Sequence, residues 1–194
     1  MTGTVAARRK ARIASIVAAA WELAREEGIA GVTLHGLARS LGIRQPSLYT
    51  YFESKDALFD AMFADGNRAL IAHLDALVLP DDPRAALKAA FAGFADFALA
   101  DQARGALLFQ RPIPGFEPSP ESYAYAQQAQ MRMVAVMRAA GACDPGDVDC
   151  LVAMVAGLLS AQSSNEPGGR RWIRHLDRLT DLYLDDIESR GKGT

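Results

Sequence analysis

The chain has 194 residues, half of them hydrophobic, and its 23 acidic and 21 basic side chains leave a net charge of −2. This length supports one to two domains with a real hydrophobic core, and the composition excludes a fully disordered tail or a histone-like polycation. No apolar run approaches the roughly 20 residues of a membrane span, and the basic start is unlike a signal peptide. We therefore expect no membrane contact and a cytoplasmic protein whose two cysteines are reduced.

The charges are distributed unevenly along the chain. Residues 1–55 carry eight basic and four acidic side chains, whereas residues 56–194 carry 13 basic and 19 acidic ones. A basic first region on an acidic remainder is what local binding to a polyanion requires, because the whole chain exerts no net attraction. An ordinary solvated basic face explains the charge pattern alone equally well.

Hydrophobic residues recur at three- and four-residue steps along the chain, which predicts helices. The first helix carries an apolar stripe over residues 13–24 and is expected to end near Gly28. Thr33 stands where an N-cap belongs, and it predicts a second, short helix that closes at Gly42.

The third and fourth helices follow at once. Pro46 occupies a plausible first turn, so the third helix is predicted to run to about Phe52. Ser54 is expected to cap the fourth helix. Since no alternating run long enough for a strand is present, the fold class is predicted as all-α, with a three-helix N-terminal domain over residues 1–53.

A second region begins at the Pro-Asp-Asp-Pro break of residues 80–83. Residues 111–122 hold four prolines and a glycine, which predicts a loop. The chain is expected to form about nine helices in all, with a C-terminal helical bundle over residues 54–194. The later helices are predicted at 84–100, 119–140, 147–164 and 170–188.

The segment TLHGLARSLGIRQPSLYTYFESKDAL, which begins at Thr33, is the most informative part of the sequence. Two short helices joined by a tight turn with Gly42 are typical of a helix-turn-helix. The second helix is predicted to present hydrogen-bonding side chains outward, where they could read base edges in a major groove. The predicted outward residues are Arg44, Gln45, Ser47, Thr50 and Tyr51.

This stretch resembles the DNA-binding domain of the tetracycline-repressor (TetR) family of bacterial regulators. The resemblance runs from about Arg12 to Phe63, and Q-P-S-L-Y-x-Y-F-x-S-K-x-A-L is its most specific part. It implies that Thr33, Tyr49 and Lys55 contact phosphates, in keeping with their residue types. The base readers that it implies are His35, Arg44, Gln45, Pro46, Ser47 and Tyr51.

Two features of the first region leave alternatives open. The basic cluster of residues 8–12 is either an ordinary solvated terminus or an arm that reaches DNA, and we favour a mobile arm with nonspecific phosphate attraction. Tyr49 and Tyr51 could be core aromatics. Because positions 48 and 52 suit the core better, at least one of the two tyrosines should face outward.

The second region contains phenylalanines and methionines at helical spacing, which core packing explains for most of them individually. The family resemblance implies a pocket for a small, largely apolar effector in this region. The candidate ligand contacts are Phe94, Phe97, Gln110, Tyr123, Gln127, Met131 and Met154.

The last two helices suggest an oligomer. The predicted helix at 147–164 interleaves leucines with small residues, which would allow another helix to approach closely, although packing within one chain gives the same pattern. The resemblance implies a homodimer built from these helices. We expect a homodimeric regulator, a repressor, that binds a palindromic double-stranded operator and is released by its effector.

Two other classes of function are alternatives to a DNA-binding regulator. An enzyme would need a nucleophile–base pair or a metal cluster, and three isolated histidines and two unactivated thiols supply neither, so no metal, cofactor or catalytic residue is expected. A helical protein-interaction module that has lost DNA binding is the other alternative.

Overall fold

A computed structural model describes residues 2–191 of the chain, with side chains from residue 5 onward. The described residues form helices joined by loops and no strand, which confirms the all-α prediction. Nine α-helices are present in this range, and two 3₁₀ turns occur at Ile29–Gly31 and Ile173–His175. The α-helices are α1 (Thr2–Glu27), α2 (Leu34–Ser40), α3 (Gln45–Tyr49), α4 (Lys55–Asp75), α5 (Pro83–Ala100), α6 (Gln102–Phe109), α7 (Pro120–Ala139), α8 (Pro145–Asn165) and α9 (Leu176–Gly191).

The predicted helix ends in the first region are confirmed. Gly28 follows α1 with a φ of 75°, and Gly42 follows α2 with a φ of 64°, a backbone conformation that glycine adopts without steric cost. The Thr33 Oγ1 accepts a hydrogen bond from the backbone N–H of Gly36, and the Ser54 Oγ accepts one from that of Ala57. Both side chains therefore satisfy N–H groups that a helix start leaves unpaired.

Two predicted helices are shorter than expected. Helix α3 ends at Tyr49, because the next residues form a turn in which the Leu48 carbonyl accepts hydrogen bonds from the N–H groups of Tyr51 and Phe52. The last helix begins at Leu176 and not near residue 170. There the Gln162 side chain accepts hydrogen bonds from the N–H groups of residues 172 and 173, which holds this stretch outside the helix.

The described residues form two compact units. Unit 1 contains the residues up to Arg68 together with Asp101–Ala126, and unit 2 contains Ala69–Ala100 together with the residues from Gln127 onward. Unit 1 therefore extends past the predicted domain boundary at residues 53 and 54. The predicted boundary separates a DNA-binding region from a ligand-binding and dimerisation region, and this division of function stays a prediction.

Unit 1 is built on one apolar cluster. Helix α1 contributes a buried stripe that contains Ile16, Ala20 and Trp21, which packs with buried residues of the following helices. Burying a side chain of the size of leucine or phenylalanine stabilises a fold by roughly 1.5–3 kcal/mol. Among the largest fully buried members are Ile16, Leu37, Leu48, Leu58, Phe59 and Met62.

Polar contacts fasten residues 101–126 to the remainder of unit 1. The Asp60 carboxylate on α4 accepts hydrogen bonds from the backbone N–H of Ser119 at 2.7 Å and from the hydroxyls of Ser119 and Ser122 at 3.0 and 2.7 Å. The Arg25 guanidinium on α1 binds the Asp101 carboxylate at 2.8 Å. These contacts, together with the Phe59–Phe116 ring contact, explain why the proline-rich loop belongs to this unit.

Unit 2 has its own core, in which α5, α8 and α9 pack together. Leu87, Phe91, Leu151 and Leu184 are fully buried there. No helix among residues 2–191 is both long enough and apolar enough to cross a membrane.

Candidate nucleic-acid interface

The helix-turn-helix segment holds α3 by a few buried residues. Leu37 and Ala38 of α2 are buried, and the N–H of Ile43 after the Gly42 turn donates to the Ala38 carbonyl at 3.0 Å. Helix α3 itself buries only Leu48, and Phe52 is buried immediately after it. Because the anchoring residues lie on one side, the opposite side of α3 is open to solvent.

The solvent-facing side of α3 carries the predicted readers. Gln45 is partly exposed at the first position of the helix, and Tyr49 is 51% exposed at its end. Tyr51 is half-buried and packs against the core of unit 1, so its prediction as an outward residue is wrong. Tyr49 is the tyrosine that faces outward. The exposed residues of α3 and of the positions directly next to it are Arg44, Pro46, Ser47, Tyr49 and Thr50.

The residues predicted to contact phosphates lie at the ends of neighbouring helices. Thr33 is exposed, and its Oγ1 accepts the capping hydrogen bond, which leaves the hydroxyl proton free to donate. His35 is exposed in the first turn of α2. Lys55 is half-buried at the start of α4, and its Nζ lies 5.1 Å from the centroid of the Phe59 ring. This contact restricts the long lysine side chain near the end of the helix-turn-helix.

The basic cluster of the first helix differs from its prediction. Residues 8–12 lie within α1 and not on a mobile arm, because the alanine- and arginine-rich sequence here favours a helix. Arg8, Arg9 and Lys10 are exposed. Arg9 reaches the turn that follows α3, a contact that the sequence pattern did not indicate. The helix therefore adds fixed positive charges to the polar side of unit 1.

Comparisons with known proteins agree with this geometry. The family model described as "Bacterial regulatory proteins, tetR family" matches residues 16–62, the segment that contains the last part of α1, all of α2 and α3, and the start of α4. Over these residues the chain is similar to this family.

Three relatives show where the similarity lies. The class D tetracycline repressor of Escherichia coli is 50% identical over 48 residues, which cover 25% of this chain and 22% of that TetR-family protein. A helix-turn-helix transcriptional regulator of Mycobacterium tuberculosis is 32% identical over 130 residues, which cover 62% of this chain and 54% of the relative. The crystal structure of the TetR-family regulator PfmR from Thermus thermophilus superposes with a TM-score of 0.62 over 89% of this chain and 96% of that chain, at 18% identity. The highest of these identities therefore extends over only 48 residues, while the fold is shared over 89% of the chain.

The candidate ligand contacts are divided between the two units. Gln110 and Tyr123 are exposed residues of unit 1. In unit 2, Phe94, Phe97 and Met154 pack against the core. The remaining two, Gln127 and Met131, are exposed on α7. The seven residues do not form a single group within either unit, and their role in ligand binding stays a prediction.

His73 and the two cysteines do not form a metal site among the residues that the structure describes. His73 lies against Phe97, with 5.4 Å between the ring centroids, and its Nε2 is 2.9 Å from the Gly93 carbonyl oxygen. His73 is therefore a satisfied histidine, as expected. Cys143 and Cys150 are exposed free thiols. Among residues 2–191, no group of three or more His, Cys, Asp or Glu side chains is arranged to hold a metal ion.

Proposed function

We propose that this chain is a DNA-binding transcriptional regulator, a repressor, that places α3 in the major groove of a palindromic operator. The observation that carries the proposal is the polar, solvent-facing side of α3, held from behind by Leu48 and Phe52. The major groove of B-DNA accommodates one α-helix, and the donors and acceptors of its base edges distinguish all four base pairs. The matched family model covers this same segment.

Different side chains provide the affinity for DNA and the preference for one DNA sequence. Gln45 and Ser47 near the start of α3 are the proposed base readers, because amide and hydroxyl groups pair with base edges. Arg44 lies immediately before them, and an arginine side chain can bind the O6 and N7 atoms of a guanine. Thr33, Tyr49 and Lys55 hold the phosphates on either side, which sets the register of the helix in the groove.

The proposed reader set also contains residues at the margin of α3. His35 and Pro46 are exposed, and half-buried Tyr51 lies in the turn after α3. They would contact bases at the edge of the site.

The proposed homodimer forms through α8 and α9. Val152 is 45% exposed on α8, and Leu182 is 55% exposed on α9. Small exposed residues, Ala153, Ala156 and Gly157, lie near Val152, and an added Cβ at Gly157 would meet no atom within 4 Å. Such faces allow close approach of a second pair of helices, and a two-fold pair of α3 helices would match a palindromic site.

A small, largely apolar effector is proposed to release the DNA. The effector would have to bind the released state more tightly by several kcal/mol to reverse operator occupancy. Helix α4 is the proposed lever, because this one helix supplies residues to both units.

Selection of bound duplexes from a random pool tests the proposal. The wild-type chain is expected to select one two-fold symmetric sequence, whose half-sites lie about one helical turn, or a multiple of it, apart. Arg44→Ala should lose this preference, whereas Arg138→Ala, at an exposed arginine of α7, should keep it. Recovery of unenriched sequences by the wild-type chain would contradict the proposal.

Sedimentation of two valine variants tests the dimer separately. Val152→Glu is expected to shift the chain towards a monomer, because it places a charge in the proposed interface. Val78→Glu is the matched control, since Val78 is 95% exposed outside α8 and α9. Equal sedimentation of the two variants would rule out this interface.

A further inference from the structure

Arg9 connects α1 to the end of the DNA-reading helix. Its Nη2 donates a hydrogen bond to the backbone carbonyl of Thr50 at 3.4 Å, and its Cζ lies 5.7 Å from the centroid of the Tyr51 ring. The two partners are adjacent residues, 41 and 42 positions along the chain from Arg9. One guanidinium therefore holds a turn by two different interactions, one with the backbone and one with a side chain.

The helix that precedes this turn is short and depends on tertiary contacts. Helix α3 has five residues, and Arg44 at its N-cap position makes no capping hydrogen bond with its side chain. A helix this short is not stable by itself, so its geometry depends on tertiary contacts. Leu48 and Phe52 anchor the buried side, and Arg9 is placed at the exposed end. A cation at this end is also favoured by the carbonyl groups that a helix leaves unpaired.

The neighbouring basic residue lacks these contacts. Arg8 is exposed like Arg9 and carries the same charge. Among the side chains that the structure describes, from residue 5 to residue 191, Arg8 makes no hydrogen bond or ion pair, whereas Arg9 is engaged with the Thr50–Tyr51 turn. A comparison of the two arginines therefore separates the effect of charge from the effect of position.

We propose that Arg9 is a positioning residue for sequence-specific DNA binding: it fixes the Thr50–Tyr51 turn and thereby the angle at which α3 presents Gln45 and Ser47. This inference rests on the proposed function. Base readout requires side chains held close to their productive geometry, whereas nonspecific attraction to phosphates tolerates their displacement. Arg9 thus contributes to the difference between operator and random DNA, in addition to the attraction that any exposed cation provides.

The test measures dissociation constants for the duplex that the wild-type chain selects and for a random duplex of equal length, over a series of salt concentrations. Arg8→Ala should weaken binding to both duplexes by the same factor, because it removes one charge. Arg9→Ala should weaken binding to the random duplex by that factor and to the selected duplex by about ten times more, as expected for one hydrogen bond and one exposed cation–π contact. Circular dichroism should show equal helix content in the variants.

Tyr51 provides a second readout that a general loss of charge would not move. In a Tyr51→Leu background, the additional loss caused by Arg9→Ala should fall to about threefold or less, because the ring contact is already absent. Arg9→Lys, which keeps the charge and can still approach the ring, should restore part of the specificity.

Equal losses on the two duplexes for Arg9→Ala, matching those of Arg8→Ala, would show that Arg9 is only a phosphate contact and would overturn the proposal. An unchanged loss in the Tyr51→Leu background would overturn the coupling to the turn. A wild-type chain that selects no sequence contradicts the proposed function itself, which distinguishes that failure from this one.

Discussion

The helix-turn-helix segment and the α8–α9 region are both helical, but their surfaces have opposite characters. Residues 33–55 expose arginine, serine, threonine and tyrosine side chains over a few buried anchors. The exposed face of α8 carries Val152 among small residues, and Leu182 is exposed on α9. The first surface suits a hydrated polyanion, and the second suits another apolar helix surface. Helices of the same fold class therefore present two kinds of surface, and the difference lies in their side chains.

The largest expected effect comes from the anchor of the reading helix. Leu48→Ala should lower the free energy of unfolding by about 2–5 kcal/mol, because Leu48 is fully buried and its removal leaves a cavity. Urea denaturation followed by circular dichroism measures this change. Tyr49→Ala, one residue further and half-exposed, should change stability by less than about 1 kcal/mol while it weakens DNA binding. A reversed order of the two stabilities would contradict the assignment of the buried and exposed sides of α3.

Substitution of a base-reading residue should change the sequence preference more than the nonspecific affinity for DNA. Gln45→Ala is expected to reduce discrimination at one base pair of the selected site by about 1–3 kcal/mol, since an amide side chain can bind one base edge bidentately. Competition binding with single-base variants of the site measures the change. Gln128→Ala on α7, an exposed glutamine of unit 2, should leave the preference intact. Losses of equal size on selected and random DNA would show that Gln45 does not read bases.

A phosphate contact should act on all sequences alike. Lys55→Ala is expected to weaken binding to selected and random duplexes equally. The slope of log affinity against log salt should become less negative by about 0.9, because one counterion fewer is released. Fluorescence anisotropy at several salt concentrations measures this slope. Lys55→Arg keeps the charge and should keep the slope. A loss confined to the selected duplex would place Lys55 among the sequence-reading residues instead.

The smallest effect concerns stability in unit 2 and depends on pH. The Arg190 guanidinium at 2.6 Å, helped by the Tyr183 hydroxyl at 3.0 Å, outweighs burial and lowers the pKa of Asp147 below its usual value. The folded state therefore gains stability from ionised Asp147 at neutral pH, and this gain is lost as the pH falls below about 4 through the lowered pKa.

Urea denaturation of Asp147→Asn across this pH range measures the effect. The variant should be less stable than the wild type at pH 7, and the difference should shrink as the solution becomes acidic. Asp149→Asn, an exposed neighbour on α8, should have nearly the wild-type stability at pH 7. A difference that stays constant down to acidic pH would rule out the ionised contact.

Local features of the first region could be predicted from the sequence. Thr33, Gly42 and Ser54 act through the backbone of residues within three positions, so their roles follow from neighbouring residue types. The proposed DNA-reading residues share this property, because Arg44 directly precedes α3 and Gln45 and Ser47 lie in its first turn. Their exposure on α3 agrees with the predicted face, while their contacts with DNA remain predictions.

Contacts between distant segments could not be predicted in the same way. The Arg9–Thr50 hydrogen bond joins residues 41 positions apart, and Asp60 binds Ser119 across 59 positions. The late start of α9 likewise depends on Gln162, whose side chain occupies N–H groups ten and eleven residues later. The candidate ligand residues extend from Phe94 to Met154, so helical periodicity in one segment could not determine which of them meet.

Chemical protection of guanine N7 atoms on the selected duplex tests the role of α3 most directly. N7 lies in the major groove, where the Gln45–Ser47 face is proposed to dock. The wild-type chain should protect guanines in two major-groove segments related by two-fold symmetry, and Leu48→Ala should abolish this protection. The duplexes should carry a guanine at each position of the half-site in turn. If every guanine N7 stays fully reactive when the duplex is saturated with the wild-type chain, α3 does not dock in the major groove.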